Sequence, residues 1–72
     1  MTYKLAYEYR GRQNGRVVSG TGCAKMTVDA DRITERVIDN GVAWVERKLE
    51  NQGMIVEEVF PLGWMKFEEE PA

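Results

Sequence analysis

The chain has 72 residues, a net charge of −2 and 43% hydrophobic residues, the profile of one small soluble-type domain. A domain this short buries only about 60% of its unfolded surface, so its core is marginal unless it finds a partner. No apolar run approaches the roughly 20 residues of a membrane span, the stretch Met1-Thr2-Tyr3-Lys4 lacks the apolar core of a signal peptide, and the single Cys23 cannot form an internal disulfide; a cytoplasmic protein is expected.

Tyr3 to Arg10 alternates as a strand, with Tyr3, Leu5, Tyr7 and Tyr9 on one face and Lys4, Ala6, Glu8 and Arg10 on the other. The stretch from Gly11 to Gly15 reads as a turn, with two glycines and an Asn14-Gly15 pair. A second strand follows from Arg16 to about Val28. Its inward face is Val18, Gly20, Gly22, Ala24, Met26 and Val28, and its outward face includes Ser19, Thr21, Cys23 and Lys25. The small residues at the middle of the inward face leave room for large neighbours, for which the tyrosines and Trp44 are candidates.

Asp31 to Gln52 carries a helical period. At 100° per residue, Ile33, Val37, Ile38, Gly41, Val42, Trp44, Val45 and Leu49 share one half of the circumference. Asp29 or Asp31 is expected to cap its start and Gly53 its end. Asn40-Gly41 is also a hairpin signal, but the flanking residues alternate poorly, and the helix accounts for all eight apolar positions. Gly41 then costs about 1 kcal/mol relative to Ala; a close approach to the sheet, or a kink, would explain it. Met54 to Phe60 reads as a third strand whose imperfect alternation calls for a bulge or partial burial of both faces. Phe60-Pro61-Leu62-Gly63 reads as a turn, Trp64 to Phe67 as a short fourth strand, and residues 68–72 as a frayed acidic tail.

The expected architecture is one domain over residues 1–72, an α+β fold of two layers. One helix packs on a small, mainly antiparallel sheet of three or four strands, in the order ββαβ or ββαββ. The other sheet face is left open, which would permit a homodimer through that face or an edge strand.

The composition limits the chemistry. With no histidine, one serine and one cysteine, the chain cannot build a Ser-His-Asp or Cys-His arrangement, and one cysteine cannot supply a zinc site. Asp29, Asp31 and Asp39 lack calcium-loop spacing. Gly20-Thr21-Gly22 is followed by more strand and no helix N-terminus, so it does not read as a phosphate loop. Glu57 and Glu58, adjacent on a strand, point to opposite faces and cannot act together as a carboxylate pair. Cys23 is read as an inert thiol. No enzyme activity and no cofactor or metal are expected.

Two surfaces remain. Residues 1–28 carry five basic side chains against Glu8, a balance of +4; the rest carry five basic and eleven acidic, a balance of −6. Arg10, Arg12 and Arg16 beside Tyr7 and Tyr9 form a candidate nucleic-acid surface, although the tyrosines point to the core side and the low pI opposes a polyanion. The acidic half, with Glu57, Glu58, Glu68, Glu69 and Glu70, together with Trp64, forms a candidate protein-binding surface.

Tyr7-Glu8-Tyr9, Gly20-Thr21-Gly22-Cys23, the helix from Ile33, and Val56 through Leu62 occur in an order that resembles small accessory proteins of phages and prophages. The resemblance implies a protein that binds and modulates a host protein, as anti-CRISPR and other anti-defence proteins do. It carries no functional residues over. The expectation is therefore a non-enzymatic protein-binding module; a nucleic-acid-binding hairpin and a self-associating subunit are the alternatives.

Overall fold

The computed structural model describes residues 1–66. The element order is β1 (Thr2–Gln13), β2 (Arg16–Thr27), α1 (Glu35–Asn51) and β3 (Ile55–Lys66). The strands form one antiparallel sheet in the order β2-β1-β3, and α1 covers one of its faces. This is the two-layer ββαβ arrangement expected, with three strands among the described residues.

The hairpin turn is tighter than the sequence reading. Gln13 pairs with Arg16, so only Asn14 and Gly15 lie outside the ladder, at φ 54° and 76°. Two successive positive φ values make a type I′ turn, whose twist matches the flanking strands. Gly11 is not a turn residue. It lies within β1, buried, where an added Cβ would collide with the Ile55 carbonyl oxygen as β3 crosses close by.

The helix starts later than expected, and neither Asp29 nor Asp31 caps it. Thr34 is the N-cap: it is extended (φ −111°, ψ 168°) and its hydroxyl accepts from the Val37 N–H at 3.3 Å. Ile33 stands just before the cap and Ile38 at the fourth helical position. Both pack on the core, as in a hydrophobic staple. At the other end, the Met54 N–H donates to Leu49 O and the Gly53 N–H to Glu50 O, with Gly53 at φ 89°. These bonds form a Schellman motif, and Leu49 and Met54, both buried, close it.

The core consists of Tyr3, Leu5 and Tyr7 from β1, Ala24 and Met26 from β2, Val45 and Leu49 from α1, and Met54 and Val59 at β3. Three glycines let it close. A Cβ at Gly41 would stand 2.6 Å from the Tyr3 hydroxyl, one at Gly22 2.7 Å from the Tyr7 hydroxyl, and one at Gly20 2.7 Å from the Tyr9 hydroxyl. The close approach expected at Gly41 is therefore made by Tyr3, whose hydroxyl also donates to Val37 O at 3.3 Å. Trp44 is not part of this core; it is 46% exposed.

The third strand departs most from the sequence reading. It runs without a turn from Ile55 to Lys66, through Pro61, Leu62 and Gly63. The pairing shifts twice: Glu57 is extra between the pairs Gly11↔Val56 and Arg10↔Glu58, and Leu62 is extra between Tyr7↔Pro61 and Ala6↔Gly63. The first shift is the bulge that the broken alternation called for. The second absorbs the Pro-Leu-Gly signal as a bulge at a sheet edge, a place where proline is tolerated in a strand.

Candidate functional site on the open sheet face

The face away from α1 carries Lys4, Glu8, Arg10 and Arg12 from the central strand, and Val17, Ser19, Thr21, Cys23 and Lys25 from β2. Opposite them on β3 stand Ile55, Glu58, Phe60, Gly63 and Met65. Its two ends differ in chemistry.

Toward the hairpin, charges pair. Arg12 Nε donates to Glu57 Oε1 at 3.1 Å, Arg10 Nε lies 3.9 Å from Glu57 Oε2, and Arg10 Nη2 lies 3.6 Å from Glu58 Oε2. The expectation that Glu57 and Glu58 face apart is corrected here. The bulge places both against one residue of β1, and Arg10 reaches both carboxylates. Two surfaces read as rivals in the sequence, the basic hairpin and the acidic strand, are neighbours that offset each other. These pairs are largely exposed, so each is worth about 0–1 kcal/mol. Arg16, at the tip, is exposed and has no ion pair among the described residues. Glu8, Arg10, Ser19, Glu58 and Phe60 border a shallow polar cleft of roughly 260 Å³.

At the other end, beside the cross-strand pair Lys4 and Lys25, small and apolar residues gather toward β3. Ala6 is flanked by Cys23 on β2 and Gly63 on β3, a row of small residues across the sheet. They form, with Lys4, Trp64 and Met65, a depression of roughly 280 Å³. Met65, opposite Lys4, is 68% exposed on this face. Trp64, opposite the buried Leu5, belongs to the helix-side face and is 52% exposed where it borders the depression, and Phe60 and Leu62 are also exposed along β3. Sequence reasoning singled out Trp64 but missed Phe60, Leu62 and Met65. The available signal was the apolar run continuing past Pro61, which was read as a turn and a return strand. Glu68, Glu69 and Glu70 lie outside the described residues.

Trp44 is a further exposed aromatic. It stands on the helix side, with Lys48 Nζ 5.3 Å from its ring centre, and borders a second depression with Met26, Thr27 and Val28 at the end of β2. Burial raises the Tyr3 phenol above its usual range. It does the same to Tyr7, with smaller contributions from Tyr9 and Cys23.

Among the described residues, no three carboxylate, thiol or imidazole side chains come together to hold a metal ion. No helix of the described residues is long and apolar enough to cross a membrane. No protein-family model, curated protein or solved structure matches the chain.

Proposed function

We propose that this chain is a non-enzymatic protein-binding module that engages its partner through the apolar depression at the β3 side of the sheet, bordered by Met65 and Trp64. The observation that carries the reading is the depression bordered by Met65 from the open face and by Trp64 from the β3 edge, with Phe60 and Leu62 also exposed on the same strand. Contiguous exposed apolar surface of this kind marks interaction sites, and tryptophan and methionine are favoured anchors. Lys4 at the rim selects a partner segment with an apolar side chain followed by a carboxylate. The resemblance to phage accessory proteins adds the class of target, a host protein whose activity is modulated by occupancy.

The reading shifts the working surface away from the acidic residues. Glu57 and Glu58 already face Arg10 and Arg12, and neither pair has an unopposed field to offer. The test is a nuclease-treated pull-down from bacterial lysate with wild type, Trp64→Ala, Met65→Glu and a Glu57→Gln/Glu58→Gln double variant. The expected result is one protein retained in near-stoichiometric amount by wild type and the double variant, and lost with Trp64→Ala and Met65→Glu. Retention by both apolar-patch variants, with loss in the carboxylate variant, would return the site to the acidic surface. Recovery of nucleic acid alone would favour the hairpin arginines.

A further inference from the structure

We propose that β2 is a docking edge for a second copy of the chain, giving a two-fold dimer with a continuous six-stranded sheet. The inference concerns the edge of the sheet opposite β3 and stands apart from the partner site above.

The two edges are built differently. The β3 edge is interrupted by bulges at Glu57 and Leu62 and by Pro61, which has no N–H to donate; such features blunt an edge against further pairing. The β2 edge has none of these. Its twelve residues pair with β1 without a register shift, and among the described residues no strand pairs with its other side.

Which backbone groups face outward follows from the ladder. The Met1 amine donates to Val28 O at 2.8 Å and the Val28 N–H to Met1 O at 2.9 Å, a pair joined by two hydrogen bonds. Such pairs recur every second residue in an antiparallel ladder, so the even-numbered residues of β2, down to Arg16 at the two-residue turn, bond to β1. The N–H and C=O groups of Val17, Ser19, Thr21, Cys23, Lys25 and Thr27 therefore point away from the sheet.

One two-fold register pairs all six. With Gly22 opposite Gly22 of the second copy, Thr21 meets Cys23, Ser19 meets Lys25 and Val17 meets Thr27 across the open face. On the helix side Val18 meets Met26 and Gly20 meets Ala24. Apolar residues face apolar ones and no like charges oppose. Shifting by two residues either leaves outward groups unpaired or draws the turn glycine, Gly15, into the ladder. A second observation supports the same seam. Trp44 borders a depression with Met26, Thr27 and Val28 at the end of β2, and in this register Met26 faces Val18 of the second copy.

The test uses the full chain. Sedimentation velocity across a concentration series should show twice the monomer mass. Amide hydrogen exchange should show protection at Val17, Ser19, Thr21, Cys23, Lys25 and Thr27. Thr21→Pro removes one outward N–H without touching the bonds to β1, and should give a monomer with wild-type circular dichroism. Thr21→Cys should form, under mild oxidation, a disulfide-linked dimer joined between positions 21 and 23, because doubly bonded pairs stand about 5.5 Å apart at Cα, within disulfide reach. This arm decides the matter if Thr21→Pro does not fold. A wild-type monomer at all concentrations, a dimer with those six amides unprotected, a dimer retained by folded Thr21→Pro, or absence of the 21–23 crosslink would overturn the proposal.

Discussion

The Tyr3 hydroxyl occupies the space where a side chain at Gly41 would begin: an added Cβ would stand 2.6 Å from it and 3.2 Å from Leu5 Cδ2. A mid-helix glycine normally gains about 1 kcal/mol on replacement by alanine. Here the overpacking cost of about 1–3 kcal/mol exceeds that gain. Gly41→Ala should lower stability by about 1 kcal/mol in urea denaturation. In a Tyr3→Phe background, where the obstructing oxygen is gone, the same change should be neutral or stabilising. A double-mutant cycle showing no coupling between the two sites would contradict this account.

The two sheet glycines should not be equivalent. Tyr7 is buried over Gly22, whereas Tyr9 is half-buried over Gly20 and can swing toward solvent. Gly22→Ala should cost about 2 kcal/mol and Gly20→Ala less than half of that. Thermal unfolding midpoints of the two variants give the comparison directly.

Capping gives a third expectation. Thr34→Ala removes the acceptor for the Val37 N–H and should cost about 1 kcal/mol. Asp29→Ala and Asp31→Ala should be close to neutral. Helical ellipticity against urea will separate the three; an equal loss from Asp31→Ala would restore the aspartate as the cap.

Alkali should unfold the domain in a defined direction. The phenols of Tyr3 and Tyr7 titrate above the ordinary value of about 10, because burial favours their neutral forms. The folded state then holds protons that the unfolded chain gives up. The stability contributed by these groups is complete below about pH 10 and is lost as pH rises through and beyond that value. Tyrosinate absorbance and circular dichroism should change together in wild type. The alkaline step should weaken in Tyr3→Phe and Tyr7→Phe, after allowance for the hydrogen bond that Tyr3 loses.

The paired charges make the hairpin a poor grip for polyanions. Wild type should bind single-stranded DNA weakly at physiological salt. Glu57→Gln/Glu58→Gln, which releases Arg10 and Arg12, should bind more tightly and with a steeper salt dependence. Fluorescence anisotropy against salt concentration measures both. Stability should change by less than about 1 kcal/mol, because exposed pairs contribute little.

Local patterns in the sequence carried much of this fold. Alternation at Tyr3 to Arg10, the Asn14-Gly15 turn and the small inward residues of β2 each reported a constraint that their own neighbours satisfy. The apolar stripe from Val37 to Leu49 did the same. What was missed depended on residues far apart in the chain. Pro61-Leu62-Gly63 reads as a turn by itself and becomes a bulge only because β1 offers a partner ladder on both sides of it. Glu57 and Glu58 appear divergent until Gly11 admits β3 closely enough to shift its register. Asp29 and Asp31 are as good capping residues as Thr34. The choice fell to Thr34 because Ile33, one residue earlier, packs on the core. The exposed patch at Trp64 and Met65 was only partly legible, since apolar content alone does not distinguish a buried face from a bare one.

The order β2-β1-β3 puts the first strand in the middle of the sheet. Its two flanks are completed at different times. β2 follows after a two-residue turn, but β3 must cross a gap that includes the entire helix before Tyr3 can meet Lys66. Closing so long a loop makes β3 the slow half of assembly. Until it arrives, the backbone groups along the unpaired edge of β1 are open to any extended segment that comes first. The bulges and proline that blunt the finished edge of β3 therefore guard the molecule only after it has folded, and the interval before that is when it is most open to mispairing.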